Sequence, residues 1–319
     1  MPGRRLGTDP RLKRYDRLED MIGDTANPTP IVALRRMAPP GVALYVKLEW
    51  VNPFGSIKDR AAKWMLTGLE ARGELGDRTI VEATSGNTGI ALAAMAALMG
   101  KRIVTTVPRE LSDEKDALLR MFGASVVRTP ADAPAGEHPM DTAFAMAEAM
   151  ARDADAYVMP NQYDNADNVR AHYETTGPEI WEQAEGTVRY FFAGFGTCGT
   201  LVGAGRYLKE RDPDVRVIGI EPVPGHHISG LKNLTETSVP GILDRSVLDE
   251  VVSVDDEMTN ETMVRLYREE ALAVGPSAAA ILAGALRYLE GREGVAVAIA
   301  PDSGQKAASY LADVMRDEA

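Results

Sequence analysis

Short apolar runs alternate with helical runs along most of this chain, and that alternation limits its fold more than any other feature. Residues 79–83 read as a buried strand, 87–99 as a helix, 102–107 as a strand and 114–122 as a helix. Extended segments at 125–128 and 157–159 flank a helix at 141–152. Beyond a helix near 166–184 come a strand at 190–193, a helix at 199–210 and a strand at 215–220. Helices near 257–272 and 276–289 lead to a last strand, 295–300. Apolar strands joined by helices build parallel sheets covered on both faces, so the expected class is α/β. Ligands of such sheets bind beyond the carboxyl ends of the strands. The stretch from Pro222 to Asp249 is rich in proline and glycine and reads as a long loop, of a length that usually serves function. Pro130 to Pro139 reads as a surface connection.

Three polar segments lie at the helix starts of this pattern: Asn52 to Arg60, Thr84 to Gly89, and Gly194 to Thr200. In the first, Ser56 and Asp59 resemble a capping box that puts Lys58 in the first helical turn. The helix dipole disfavours a cation there, which lowers the lysine's pKa and favours a free amine or a Schiff base. Taken alone, a lysine is more often a solvated surface residue. The third segment matches G-x-G-x-x-G, follows a strand and opens a helix, and Glu221 stands 22 residues beyond Gly199. Those are the conditions for a nicotinamide dinucleotide, and a Rossmann oxidoreductase is one reading. Yet N–H groups at a helix start bind any phosphate, and the Thr197 and Thr200 hydroxyls suit a terminal phosphate monoester. One amine and two loops rich in glycine and hydroxyls also suit an anionic cofactor held covalently. The glycine pattern leaves both cofactors open.

A chain of 319 residues is long enough for two domains. Its formal charge of −12 argues against nucleic acid or an anionic membrane as partner. The single cysteine, Cys198, excludes an intramolecular disulfide. The first ten residues lack the apolar core of a signal peptide, and the most apolar helix, Ile90 to Met99, is too short to span a bilayer. A cytoplasmic setting is expected. His138, His172, His226 and His227 have no ligand-like spacing, so no metal is expected.

The motifs together resemble the fold-type II pyridoxal-phosphate enzymes, and within them the cysteine synthase and cystathionine β-synthase group. The resemblance rests on Asn52 to Arg60, Thr84 to Gly89, Asn161-Gln162, Thr175 to Trp181, Gly196 to Thr200 and Pro301 to Gly304, and runs from about Ile22 onward. It implies a two-domain, tryptophan synthase β-like fold, each domain a mostly parallel sheet flanked by helices. Residues 1–45 and 160–319 would form the larger domain and 46–159 a smaller mobile one. Pyridoxal 5′-phosphate is the implied cofactor, joined to Lys58, whose freed amine then removes the substrate α-proton. Asn87 is implied at the phenolic oxygen, Gly196, Thr197, Cys198, Gly199 and Thr200 at the phosphate, and Ser303 at the pyridine nitrogen. Thr84, Ser85, Gly86, Asn87, Thr88 and Gln162 are implied around the substrate carboxylate. Cys198 itself reads as a small side chain at a variable loop position.

The form of the lysine motif is closer to the synthases than to the dehydratases. The expected reaction is therefore β-replacement on O-acetyl- or O-phospho-L-serine, through an aminoacrylate, with sulfide or another thiol donor giving L-cysteine. Cystathionine formation and serine or threonine dehydration are alternatives on the same fold. Lys232 lies where relatives that accept phosphoserine carry a basic residue, and it is the candidate for meeting such an anion; a solvated loop lysine is the competing reading. Gly275-Pro276-Ser277-Ala278-Ala279 departs from the serine and glycine pattern of many relatives. No haem-binding extension or regulatory domain is expected, and the resemblance suggests a homodimer.

Overall fold

The computed structural model describes residues 13–84, 86–130 and 139–317. Ser85 and most of the Pro130–Pro139 connection, including His138, fall outside the described residues. Two sheets organise the chain. The first has six strands: β1 (Ile31–Ala33), β2 (Val42–Leu48), β7 (Val188–Gly194), β8 (Arg216–Pro222), β9 (Glu250–Val254) and β10 (Gly294–Ala300), in the order β1-β2-β10-β7-β8-β9. Only β1 runs antiparallel to its neighbour; every other pair is parallel. The second sheet holds β3 (Thr79–Ala83), β4 (Ile103–Val107), β5 (Ser125–Arg128) and β6 (Tyr157–Val158), all parallel, in the order β5-β4-β3-β6.

Helices cover both sheets. α1 (Lys58–Ala71), α2 (Asn87–Leu98), α3 (Asp113–Met121) and α4 (Pro139–Ala151) pack around the four-stranded sheet. The alanine-rich α2 is buried on nearly every side, from Thr88 to Ala96, because its small side chains let α1 approach closely. α7 (Gly199–Arg211) lies against one face of the six-stranded sheet, with Phe191, Phe195, Leu201 and Val217 in its core. α9 (Pro276–Leu289) lies against the other with α8 (Asp256–Glu270), around Phe192, Ile220, Leu282 and Leu289. α10 (Ala308–Asp317) follows the last strand. No helix among the described residues is long and apolar enough to cross a membrane.

The helix expected over 166–184 is interrupted. α5 (Ala166–Ala171) passes into a π-helical turn, His172–Thr176, before α6 (Gly177–Gln183). Here α7 presses in: a Cβ on Gly203 would lie 2.3 Å from the Val169 carbonyl oxygen. Between Pro222 and Glu250 the only regular structure is a short turn of 3₁₀ helix at Arg245–Val247, as the irregular composition suggested.

Candidate active site

The carboxyl ends of strands from both sheets converge on one cleft of about 830 Å³. β2 leads through 49–57 to Lys58, β3 to Thr84 and Asn87, and β6 to Gln162. From the six-stranded sheet, β7 leads to Gly196 and Thr197, β8 to the loop carrying Lys232, and β10 to Asp302. All of these residues line the cleft. A smaller cavity of about 50 Å³ adjoins it, lined by Lys58, Gly196, Thr197, Cys198, Gly199 and Thr200. Lys58, Gly196, Thr197, Gly230 and Leu231 are common to both. Parallel topology brings loops from distant parts of the chain to one place.

Lys58 is the first residue of α1. The capping expected of Ser56 and Asp59 takes a shifted form. Ser56 Oγ accepts the Lys58 N–H at 3.2 Å and donates to Asp59 Oδ1 at 3.4 Å, while Asp59 Oδ2 accepts the Phe54 N–H at 2.7 Å. The reason is local: Ile57, in the N-cap position, already has helical dihedrals, so the turn starts too early for the reciprocal bond to close on Ser56. Burial lowers the Lys58 pKa below the ordinary lysine value; the charge on Lys232 adds to this and Asp302 opposes it. Two residues on, the fully buried Arg60 binds the carboxylates of Glu49 and Glu179, and Lys47 Nζ joins Glu179 Oε2 at 2.8 Å. That network ties α1 to β2 and α6.

On the phosphate-loop side, Cys198 takes a left-handed conformation (φ 69°) immediately before α7. The first N–H groups of α7 have no carbonyl one turn back, and Gly199 and Thr200 line the small cavity, where a helix start attracts an anion. Thr200 Oγ1 lies 3.2 Å from His172 Nε2, and His172 Nδ1 lies 2.9 Å from Thr176 Oγ1. Burial, reinforced by the charges of Arg60 and Lys58, pushes His172 down to about 3, so its imidazole is neutral at neutral pH. The Cys198 thiol is pushed up to about 11 by burial and stays protonated. Asn168 Nδ2 donates to Thr197 Oγ1 (3.1 Å) and to the Gln162 carbonyl (2.7 Å), linking the two sides of the cleft.

Across the cleft, Thr84 Oγ1 accepts the Gly89 N–H at 3.0 Å, and Thr88 Oγ1 donates to Gln162 Oε1 at 2.7 Å. Glu82, buried on β3, accepts the N–H groups of Asn161 (2.8 Å) and Gln162 (3.1 Å). Burial raises its pKa to about 7 against the pull of those two donors. Asn87 Nδ2 donates to Asp302 Oδ2 at 2.6 Å. Lys232 is half-buried, with Nζ 4.1 Å from the centroid of the Tyr163 ring, so it is not a freely solvated loop lysine.

Ser303 pairs by a backbone bridge with Val274 and is not among the lining residues of the two cavities. Ser277, in the first turn of α9, is likewise not among those lining residues, but it is 4% exposed and packs beside Gly230, the glycine common to both cavities. The helix-start pattern Gly275-Pro276-Ser277 was its only signal in the sequence. Glu82, Asn168, Asp302 and Lys306 also carry the site's geometry through partners far away in the chain. Of the other described histidines, His226 and His227 line the cleft; His226 Nδ1 accepts the Ile228 N–H, and His227 pairs with Asp256.

A dinucleotide needs a free acid at the end of the strand after the glycine loop. Glu221 instead accepts the Leu234 N–H at 2.7 Å and anchors the long loop. By contrast, an amine at the cleft floor, a helix start with two threonine hydroxyls and a cavity between them make a donor set that fits a phosphate-bearing aldehyde.

Comparison with known proteins agrees with this geometry. A family model described as pyridoxal-phosphate dependent enzyme matches residues 22–302. Cysteine synthase B of Salmonella typhimurium is 40% identical over 293 residues, covering 91% of this chain and 93% of that protein. The crystal structure of O-ureido-L-serine synthase superimposes with a TM-score of 0.83 at 38% identity, covering 92% of this chain and 94% of that one. Cysteine synthase from Entamoeba histolytica gives a TM-score of 0.84 at 28% identity, covering 96% of this chain and 93% of that one. The dinucleotide reading is thereby overturned: the chain belongs to the family of pyridoxal-phosphate-dependent enzymes.

Proposed function

We propose that this enzyme is a cysteine synthase, replacing the β-substituent of O-acetyl- or O-phospho-L-serine with sulfide to give L-cysteine. The observation that carries the reading is the convergence of Lys58, the Gly196–Thr200 loop and the Thr84–Thr88 and Gln162 loops on one cleft. When bound, pyridoxal phosphate supplies covalent capture of the amino group and an electron sink for the α-carbon.

The residues of the chain do the rest. The helix start at Gly199, with Gly196, Thr197, Thr200 and the backbone around Cys198, would hold the phosphate dianion. Asn87 would hold the phenolic oxygen. The Thr84 hydroxyl and the NH₂ of Gln162, whose Oε1 accepts from Thr88 Oγ1, hold the substrate carboxylate, and the resemblance implies Ser85 and Gly86 beside them. Lys58 Nζ, its pKa lowered by burial, takes the proton from the α-carbon. Lys232 faces the side chain of the substrate and meets an anionic leaving group. A serine hydroxyl at the ring nitrogen completes the set; the surroundings of Ser277 support that role, and the resemblance implies it for Ser303. A hydroxyl there suits expulsion of a β-substituent better than a carboxylate would.

The functional unit in this reading is a cytoplasmic homodimer whose smaller unit, residues 46–159, closes over the substrate. The single, buried cysteine accords with a reducing compartment, and the edge strand β1, with Val32 42% exposed, leaves a sheet edge open to a second copy. The test supplies the purified protein with sulfide and each activated serine, and quantifies cysteine against ammonia and keto acid. Cysteine as the main product supports the proposal. Ammonia and keto acid alone would make the protein a dehydratase, and product from serine with homocysteine a cystathionine synthase.

A further inference from the structure

The chain after β10 returns to the cleft, and two of its side chains hold Asn87 from opposite sides. Asn87 is the first residue of α2. Its Nδ2 donates to Asp302 Oδ2 at 2.6 Å, and its Oδ1 accepts from Lys306 Nζ at 3.2 Å. Turning the amide over would set its oxygen against a carboxylate and its NH₂ against an ammonium, so the two charges dictate its orientation.

Both partners are themselves fixed. The backbone of Asp302 bridges Ser56, two residues before Lys58, and its carbonyl accepts the Gly275 N–H at 3.1 Å. Its second carboxylate oxygen is buried without a partner among the described residues, and lies 2.2 Å from where a Cβ on Gly275 would stand. Only glycine at 275 permits the position the carboxylate takes. Lys306 Nζ also donates to the Phe54 carbonyl at 2.6 Å, anchoring it to the loop that leads into Lys58.

We infer that Asp302 and Lys306 are positioning residues that lock the amide of Asn87, so that its second N–H donates into the cleft. This rests on the proposal that Asn87 meets the phenolic oxygen of the cofactor. An N–H donor at that oxygen favours its ionised form, which absorbs in the visible and makes the protein yellow. Without a fixed donor the neutral phenol form, absorbing in the near ultraviolet, gains population.

The test is the absorbance spectrum of the holoenzyme at one pH, normalised to bound cofactor, for wild type, Asp302→Ala, Lys306→Met and the conservative Asp302→Asn. The expected result is at least a twofold fall in the ratio of visible to near-ultraviolet absorbance in Asp302→Ala and in Lys306→Met. Asp302→Asn, which keeps an acceptor for Asn87, should recover most of the wild-type ratio. If Asp302→Ala does not fold, Lys306→Met decides, because it removes one cation without opening the β10 end. A yellow wild type with both variants at the wild-type ratio overturns this inference alone. A wild type that stays colourless with added pyridoxal phosphate overturns the cofactor contacts proposed above and this inference with them.

Discussion

The Arg60 guanidinium lies with Nε 2.7 Å from Glu49 Oε2, and both side chains are fully buried. Burial alone would raise the Glu49 pKa, yet the charge and hydrogen bonds of Arg60 overcome it and hold Glu49 down at about 2. Arg60→Met leaves Glu49 and Glu179 buried with only Lys47 between them, and such a broken network costs about 3–5 kcal/mol. A urea denaturation midpoint should fall accordingly, and the loss should appear even in the protein without cofactor. The wild-type contribution of Glu49 is present above its ordinary value of 4.5 and is lost as pH falls toward about 2. Unchanged stability in Arg60→Met would mean the network is neutral.

Lys232 stacks over Tyr163 at the cleft wall. Lys232→Ala should lower kcat/KM for O-phospho-L-serine by about tenfold or more, the scale of one charge-assisted contact, and leave O-acetyl-L-serine within about twofold. Equal losses with both substrates would assign Lys232 to packing.

Glu82 holds the turn that carries Gln162. In Glu82→Gln one acceptor oxygen becomes an NH₂ that faces a backbone N–H. The KM for the amino-acid substrate should rise by about tenfold with kcat little changed, since the lost contact is the same in ground and transition states. Because the folded pKa of Glu82 is raised from 4.5 to about 7, its contribution to stability is full below about 4.5 and declines as pH rises through 7. Thermal melts of wild type across that window should show a slope that Glu82→Gln flattens.

Cys198 pays for its left-handed backbone, which L side chains avoid at a cost of about 1–2 kcal/mol. Cys198→Gly relieves it, offset in part by the greater freedom of glycine in the unfolded chain. The expected net gain is about 1 kcal/mol, read as a higher melting temperature with cofactor affinity preserved. A less stable variant would mean the buried thiol packs better than its backbone is strained.

Most strands and helices between residues 79 and 300 were legible, because an apolar run ends in a glycine, proline or capping residue. β2 was not: Lys47 sits near its carboxyl end, and partners brought by the fold, Glu179 above all, make a buried charge acceptable there. β9 escaped notice as an edge strand with a mostly exposed surface. The π turn at His172 carries no residue-type signal of its own, and the stretch read as one continuous helix. At the site, Lys58, the Thr84–Thr88 segment and the Gly196–Thr200 loop carried local motifs. Glu82, Asn168 and Lys306 carried none, since each takes its meaning from a partner that only the fold brings near.

Strand β10 sits between β2 and β7, although it is formed by residues 294–300. The β1–β2 hairpin therefore has no neighbour in its sheet until almost all of the chain has been synthesised. Pairings across such long separations close slowly, and they leave strand edges open while they wait. A nascent chain stalled before residue 294 would hold its four-stranded sheet but only half of the cleft. Engagement by chaperones should therefore concentrate on this interval, and the enzyme should become active in one late step.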